Sequence, residues 1–138
     1  MSATKITIET TIAADIKKVW DYYNKPEHIT KWNFAIDTWH CPSAKNDLRV
    51  GGKLQSRMEA KDGSFGFDFE GTYDEVETLK KIAYTIADGR KVITHFTDLG
   101  GKTKIATEFE AESQNPVEMQ KGGWQSILDS FKKYAEAN

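Results

Sequence analysis

This sequence has few of the features that identify a particular class of protein. Its 138 residues include one cysteine, Cys41, so no disulfide can form within the chain and no thiolate cluster can bind a metal. His40 is adjacent to Cys41, and neighbouring side chains of a strand point to opposite faces, so no metal site is predicted. No apolar run reaches the length of a membrane span or signal-peptide core. We therefore expect no membrane association and a cytoplasmic location.

An excess of charge of one sign is also absent. Nineteen lysines and arginines face 21 aspartates and glutamates, which gives a formal net charge of −2. Without a basic stripe to neutralise phosphates, no nucleic acid partner is expected. The length suits a single domain, residues 1–138, with a sizeable core. Four tryptophans and seven phenylalanines suit either that core or a pocket for flat apolar molecules.

The dominant periodic stretch is the last one, from Pro116 to Asn138. Proline fits the first turn of a helix, and Asn115 before it is a good cap. One flank of this helix carries small residues such as Gly123 and Ser130, which leave room where a packed core would place leucine. Apolar side chains recur at helical spacing and form a stripe broad enough to lie in a groove. The predicted stripe is Val117, Gln120, Trp124, Ile127, Leu128, Phe131, Tyr134 and Ala135.

The first third of the chain mixes one strand with two short helices. Alternation predicts a strand from Lys5 to Ile12, and Asp15 then opens a helix. Pro26 ends that helix and begins a second short one, which ends near Trp32. The following segment has no clean period, and we interpret 36–40 as a short strand and 41–44 as a loop.

The middle of the chain predicts an antiparallel meander. With Asp62-Gly63 and Gly100-Gly101 at hairpin tips, apolar residues lie opposite apolar ones, for example Met58 opposite Phe67. At Asp88-Gly89, the apolar residues of the two strands share one face only if the turn is a three-residue loop with Gly89 in the left-handed conformation. Such a sheet has one dry face that the last helix must cover. The predicted face is Leu54, Met58, Phe65, Phe67, Phe69, Ile82, Tyr84, Ile86, Val92, Phe96, Ile105 and Phe109.

These elements make an α+β, helix-grip arrangement: a curved antiparallel sheet wrapped around a long C-terminal helix, with two short helices after the first strand. Within it, several local runs occur in order: Val19-Trp20-Asp21, Pro26-Glu27-His28, Lys31-Trp32, Asp47 to Lys53, Phe69 to Tyr73 and Gly123-Trp124. Together these runs resemble proteins related to the activator of the heat-shock protein 90 ATPase, a branch of the START-like (SRPBCC) superfamily. The resemblance extends from about residue 5 to the end.

The resemblance implies a hydrophobic cavity between the sheet and the long helix. Superfamily members bind lipids, sterols, polyketides or plant phenolics, some are cyclases, hydrolases or dehydratases, and many small relatives are stress-associated. The named activator uses a separate amino-terminal domain for its chaperone work, and this chain has no room for one. A chaperone partner is therefore not expected, although protein interaction remains a third class of function. A weak homodimer is left open.

Our first hypothesis is that the protein binds a small hydrophobic ligand, lipid-like or polyketide- or flavonoid-like, without a cofactor. The pocket lies between the inner face of the meander and the last helix, and hydroxyls such as that of Ser56 orient the ligand. For Trp32 and Trp39, which flank the irregular segment, ligand contact and packing are equally compatible with the sequence. The predicted ligand-binding residues are Trp32, Trp39, Met58, Phe67, Phe69, Tyr73, Tyr84, Thr94, Phe96, Thr107, Met119, Gly123, Trp124 and Ile127.

The second hypothesis is a cyclase- or hydrolase-type enzyme on the same fold. The register leaves Tyr73 and Tyr84 as the only titratable side chains of the strands that face inward, so no catalytic residue is assigned. Asp37 or His40, from the irregular segment, would have to supply an acid or base. Cys41 is interpreted as an ordinary free cysteine.

Overall fold

The computed structural model describes residues 4–138, which form one seven-stranded antiparallel sheet and three helices. The elements are β1 (Lys5–Ile12), α1 (Ile16–Asn24), α2 (Pro26–Trp32), β2 (Trp39–Asn46), β3 (Lys53–Ala60), β4 (Gly66–Glu77), β5 (Lys81–Ile86), β6 (Lys91–Asp98), β7 (Thr103–Glu110) and α3 (Val117–Ala137). The strand order is β1-β7-β6-β5-β4-β3-β2, so the first two strands lie at opposite edges and α1 and α2 connect them. The long helix α3 completes the predicted arrangement of a curled sheet around a helix.

The hairpin registers predicted from side-chain parity are confirmed. Met58 in β3 lies opposite Phe67 in β4, and the β6–β7 pairing likewise follows the predicted register. Between β5 and β6 the three-residue loop has Gly89 at φ +94°, which brings Tyr84 opposite Val92. The apolar residues of successive strands therefore lie on the same, concave face of the sheet.

The prediction for the segment before β3 was wrong. Residues 41–44 belong to strand β2, which begins at Trp39, and Ile36 lies before it. The pairing with β3 shifts by one residue between His40 and Ser43, which marks a β-bulge. A bulge in an edge strand tolerates Pro42, which has no N–H to donate, and it interrupts the alternation that would have revealed the strand.

The start of α3 also differs from the prediction. The cap residue is Pro116, and Asn115 makes no side-chain cap. The buried Gln120 side chain instead organises the preceding turn, because its Oε1 accepts the N–H of Glu112 at 2.8 Å. Its Nε2 donates to the backbone carbonyls of Glu112 and Asn115, at 3.1 and 2.8 Å. Val117, predicted for the apolar stripe, is 41% exposed in the first turn.

The backbone of the long helix lies closest to β1 and the two short helices, and the Trp124 side chain extends from it to Phe109 of β7. Side chains of α3 reach the backbone of β1 at two levels: Gln125 Nε2 donates to the Glu9 carbonyl at 3.3 Å, and Lys132 Nζ to the Thr11 carbonyl at 2.7 Å. Since β1 is one edge of a curled sheet, β3 and β4 near the other edge face the helix across a gap. This placement of α3 leaves an interior space between the helix and the sheet.

Part of the predicted apolar face is not covered. Phe65 is 62% exposed and Phe67 is 43% exposed. Their rings lie 5.9 and 6.1 Å from that of Trp39, between centroids, and together the three residues form a surface cluster that we call the aromatic rim. Phe65 and Phe67 lie near the turn between β3 and β4. The two-residue alternation of a strand shows which face a side chain is on, but not whether a helix covers that part of the face.

Gly71 in β4 determines where the ring of Tyr84 can lie. A Cβ atom at this position would lie 2.6 Å from Cδ2 of Tyr84. We expect Gly71→Ala to lower the free energy of unfolding, measured by urea denaturation, by about 1–3 kcal/mol, because the methyl group displaces a packed ring. Gly122→Ala in α3 is the matched control, since nothing lies within 4 Å of its Cβ position. It should gain about 0.5–1 kcal/mol from helix propensity; a loss of similar size in both variants would contradict this role of Gly71.

Candidate ligand-binding cavity

The gap between α3 and the sheet is a cavity of about 310 Å³. Its walls come from α1, α2 and the start of the following loop, from the concave face of the sheet and from the middle of α3. Most of the residues that line it are apolar or aromatic. They are Ile8, Tyr23, Asn24, Ile29, Trp32, Asn33, Asn46, Leu54, Ser56, Met58, Phe67, Phe69, Tyr73, Ile82, Tyr84, Arg90, Thr107, Trp124, Ile127 and Leu128.

Two tryptophans define the apolar side of the cavity. Trp124 of α3 stacks on Phe109, with ring centroids 4.0 Å apart and planes 12° from parallel, and its edge approaches Phe69. Trp32, at the end of α2, is held in place by its indole N–H, which donates to the Tyr22 carbonyl at 2.9 Å. Both rings are thus fixed by other contacts, Trp32 also by stacking on Tyr23, and both line the interior.

The small residues on α3 do not account for the size of the cavity, contrary to the prediction. Ser126 and Ser130 line a separate groove that also includes Ala35. Ser130 Oγ donates to the Trp32 carbonyl at 2.8 Å and so joins α3 to α2. A Cβ at Gly123 would meet no atom within 4 Å, but this residue does not line the cavity. The space arises from the position of α3 along β1.

A chain of hydrogen bonds fixes the polar part of the wall. The Tyr73 hydroxyl donates to Asn46 Oδ1 at 2.6 Å, and Asn46 Nδ2 donates to the Asn24 carbonyl at 2.7 Å. Asn24 Nδ2 in turn donates to the Trp20 carbonyl at 2.8 Å. These bonds join β4, β2 and α1, which explains how amide side chains can remain at the edge of an apolar cavity.

Two other polar groups of the wall lack protein partners. Ser56 Oγ, which is completely shielded from solvent, makes no well-formed hydrogen bond within residues 4–138, and its polar neighbour is the thiol of Cys41. The hydroxyl of Tyr84 also makes no hydrogen bond to the described residues, and burial, followed by the neighbouring phenols of Tyr23 and Tyr73, raises the pKa of Tyr84 well above its ordinary value. Tyr84 therefore remains protonated, and its hydroxyl is a donor at neutral pH.

Burial raises the pKa of Tyr23 and of Tyr73 as well, although hydrogen bonds partly offset this: from Thr94 and Thr107 for Tyr23, and with Asn46 for Tyr73. The three phenols form one cluster in the cavity wall. Their raised pKa values have a direct consequence for the pH dependence of stability.

We expect the free energy of unfolding to fall as the pH rises above about 10, the ordinary pKa of tyrosine. In that range the unfolded chain has lost its phenolic protons, whereas the folded chain keeps those of the cluster, so each further rise in pH favours unfolding. Below this pH both states keep the protons and the cluster adds no pH dependence. Urea denaturation of native protein and of Tyr84→Phe at several pH values in this range tests whether the free energy of unfolding falls in this way. The variant should lose less stability per pH unit; equal slopes would contradict a buried, protonated Tyr84.

The remaining titratable side chain of the lining is Arg90, in the β5–β6 loop. Its Nε donates to Asp88 Oδ2 at 2.8 Å and its Nη1 to the Glu110 carbonyl at 3.3 Å. No Asp, Glu or His from the described part of the chain lines the cavity. Asp37 is exposed, and His40 faces Glu59, with 3.7 Å between His40 Nε2 and Glu59 Oε1. Neither residue supplies the inward acid or base that the enzyme hypothesis required.

Nine of the fourteen residues predicted from the sequence lie together in the wall. These nine are Trp32, Met58, Phe67, Phe69, Tyr73, Tyr84, Thr107, Trp124 and Ile127. The other five lie elsewhere: Trp39 in the aromatic rim, Thr94 and Phe96 buried outside the lining, Gly123 beside it, and Met119 at the surface, 66% exposed. The prediction for Met119 depended on its position on the helix flank, which the actual packing of α3 leaves uncovered.

Sequence reasoning missed several polar residues of the wall. Tyr23 recurs at helical spacing with Val19 and Trp20 of α1, a pattern that is typical of packing. Asn46 ends a strand that extends beyond the predicted 36–40, and Arg90 follows a turn, where no periodic pattern indicates direction.

Candidate metal ligands and membrane-spanning helices were sought among the described residues. Within residues 4–138, no three His, Cys, Asp or Glu side chains are grouped so that they could hold a metal ion. None of the helices in the described part of the chain is long and apolar enough to cross a membrane. Cys41 is buried, and this burial raises the pKa of its thiol; Sγ donates to the Ser43 carbonyl at 3.4 Å.

Comparison with known proteins agrees with the fold and the resemblance. Two solved structures cover 97% of this chain and 93% of their own: an AHSA1-like protein of Aeromonas hydrophila, 42% identical with a TM-score of 0.92, and a protein of Cytophaga hutchinsonii, 54% identical with a TM-score of 0.83. A Chromobacterium violaceum protein, 21% identical with a TM-score of 0.86 over 98% of this chain and 99% of that one, shares the fold. No curated protein matches the sequence.

The family model described as Activator of Hsp90 ATPase homolog 1-like protein matches residues 13–136, which is most of the chain. The protein therefore belongs to the Activator of Hsp90 ATPase homolog 1-like family.

Proposed function

We propose that this protein binds a small, flat, mainly apolar molecule in the cavity between α3 and the sheet. The observation that carries the proposal is an interior space of about 310 Å³ lined by aromatic and aliphatic side chains. Small-molecule sites typically have about 300–1,000 Å³, mostly apolar walls and a few fixed polar groups. This cavity falls at the lower end of that range, which favours ligands of two or three fused or linked rings.

The driving force for binding is burial of apolar surface, worth roughly 25 cal/mol per Å². Trp32 and Trp124 supply aromatic surface to the lining and Met58 a flexible thioether, so a planar ligand can pack against all three. The fixed Tyr73–Asn46 pair and the Tyr84 hydroxyl add a few directional contacts. These polar groups are too few for a strongly hydrated ligand such as a sugar.

The aromatic rim supports a route of entry. Phe67 belongs both to the rim and to the cavity lining and is 43% exposed, so apolar surface continues from the exterior to the interior. Phe65 and Trp39 extend this surface outwards. An apolar ligand can therefore lose its hydration in stages rather than in one step.

The chemistry of the wall supports binding rather than catalysis. General acid–base catalysis near neutral pH needs a group whose pKa lies close to the working pH. Within the described residues, the titratable groups of the lining are phenols, whose pKa values are raised away from neutrality, and the guanidinium of Arg90, which has donors but no acceptor. Neither is a base suited to proton abstraction at neutral pH.

Titration with flavone, an uncharged planar molecule, tests the proposal. We expect saturable quenching of tryptophan emission, because Trp32 and Trp124 line the cavity. Trp39→Phe, in the rim, should preserve most of the quenching, whereas Trp124→Phe should lose a large part of it. Linear, non-saturable quenching in the native protein would contradict the proposal.

A further inference from the structure

The polar groups of the cavity differ in whether their hydrogen-bonding capacity is already used. Tyr73 donates to Asn46, and Thr107 pairs with Thr94, whose Oγ1 lies 3.0 Å away. The Tyr84 hydroxyl has no partner among the described residues. It is also accessible from the cavity that Tyr84 lines. Within residues 4–138, Ser56 Oγ is the only side-chain oxygen or nitrogen that is both completely shielded and without a partner, so the unpartnered Tyr84 hydroxyl is not completely shielded.

The ring of Tyr84 is fixed, although its hydroxyl is free. One face lies on Gly71, where even a Cβ would collide with it. Tyr73 and Phe69 approach it edge-on, with centroids 6.0 and 6.3 Å away. Only 6% of the residue is exposed. The hydroxyl is therefore a donor held in one position inside an apolar cavity, and little side-chain entropy is lost when it binds an acceptor.

We propose, on the basis of the ligand-binding function above, that the Tyr84 hydroxyl donates a hydrogen bond to a carbonyl oxygen of the ligand, so that the cavity selects uncharged planar ketones. A ligand without an acceptor would displace water from this hydroxyl and leave it unpaired, which costs free energy. The carbonyl oxygen accepts without bringing a proton that needs its own partner.

The charges around the cavity argue against a carboxylate in place of the ketone. The one cation of the lining, Arg90, is already paired with Asp88, with 2.8 Å between Nε and Oδ2. Its Nη1 is also engaged, by the Glu110 carbonyl. An anion inside the cavity would therefore lose its hydration without a free counter-ion, and burying such a charge is costly.

Three probes with one ring skeleton separate these possibilities: fluorene, 9-fluorenone and fluorene-9-carboxylate. Equilibrium dialysis gives their affinities for the native protein, for Tyr84→Phe and for Tyr22→Phe. Tyr22→Phe is the matched control, because its hydroxyl lies outside the cavity and donates to the Asn138 carbonyl at 3.2 Å. Comparing the fluorenone-to-fluorene affinity ratio between proteins cancels the different hydrophobicities of the probes.

We expect Tyr84→Phe to lower that ratio roughly three- to tenfold, the range of one neutral hydrogen bond, and Tyr22→Phe to leave it unchanged. The carboxylate should bind native protein more weakly than fluorenone. An unchanged ratio in Tyr84→Phe, or tighter binding of the carboxylate than of fluorenone, would overturn the inference. Binding of fluorene in the same experiment would still support the proposed ligand-binding function. If none of the probes binds, the proposed function fails and this inference fails with it. Should Tyr84→Phe not fold, the fluorenone-to-fluorene affinity ratio of native protein is divided by the ratio of the octanol–water partition coefficients of the two probes. A quotient of about one or less then overturns the inference.

Discussion

Ile127→Trp is expected to weaken flavone binding at least tenfold while the protein remains folded. Ile127 lies on the face of α3 that lines the cavity and is only partly buried, so a larger side chain can extend into open space instead of displacing core residues. An indole there would occupy much of the room available to a ligand. A tenfold loss corresponds to about 1.4 kcal/mol, a modest part of the apolar contact that a two- or three-ring ligand would lose.

The control for this prediction lies on the same helix. Val117→Trp introduces the same ring at a position that is 41% exposed and outside the cavity lining. It should leave the affinity within about twofold of native, well under 1.4 kcal/mol. Equal binding by native protein and Ile127→Trp, measured by tryptophan-independent dialysis, would show that flavone binds somewhere other than this cavity.

Phe131→Ala is expected to have the largest effect on stability, a loss of about 3–5 kcal/mol in the free energy of unfolding. Phe131 is fully buried and does not line the cavity, so its removal leaves a void that a ligand does not occupy. Its ring meets Trp32 at 4.9 Å and Tyr23 at 5.2 Å, both edge-on. It therefore joins α3 to both short helices, and we expect this contact to fix the position of the helix relative to the sheet.

Urea denaturation measures this loss, and Val117→Ala is the control. Val117 is 41% exposed at the opposite end of the helix, so its truncation should cost less than about 1 kcal/mol. A loss below about 1 kcal/mol for Phe131→Ala would mean that the attachment of α3 to α1 and α2 contributes little. In that case, the packing of α3 on α1 and α2 would not explain why the cavity stays open.

The sequence was most informative where local rules determine structure. The hairpin at Gly63 and the bulged loop at Gly89 could be predicted because a strand has a two-residue period, and a slip would place polar side chains on the apolar face. The helix starts at Asp15 and Pro26 followed from side-chain capping and from the fixed φ angle of proline. Each of these features depends on neighbours in the chain.

The sequence was less informative where distant contacts decide. The bulge at Cys41-Pro42 removes the alternation that identifies a strand, so the strand was predicted at 36–40 instead of Trp39–Asn46, and Asn46 was not recognised as a lining residue. Small residues on α3 suggested a cavity, but the space lies where α3, packed beside β1 and the short helices, faces β3 and β4 across the interior. No local pattern encodes on which side of a curled sheet a helix lies, so the prediction placed Met119 inside although it is exposed.

Membership of the family does not by itself assign an activity, because one fold can host many functions. The proposal therefore depends on the site: an apolar cavity, two fixed tryptophans and one free phenol donor. The aromatic rim at Trp39, Phe65 and Phe67 is best understood as the outer part of the same apolar surface.

The most direct test of ligand binding in the cavity is a titration of methyl-labelled protein with flavone, followed by nuclear magnetic resonance. We predict saturable shifts of the methyl groups of Leu54, Met58 and Ile127, which line the cavity, and unchanged signals from Leu99 and Val50, which are 51% and 66% exposed. Shifts confined to exposed methyl groups, or no shifts at saturating flavone, would contradict the claim that this protein holds a ligand between its long helix and its sheet.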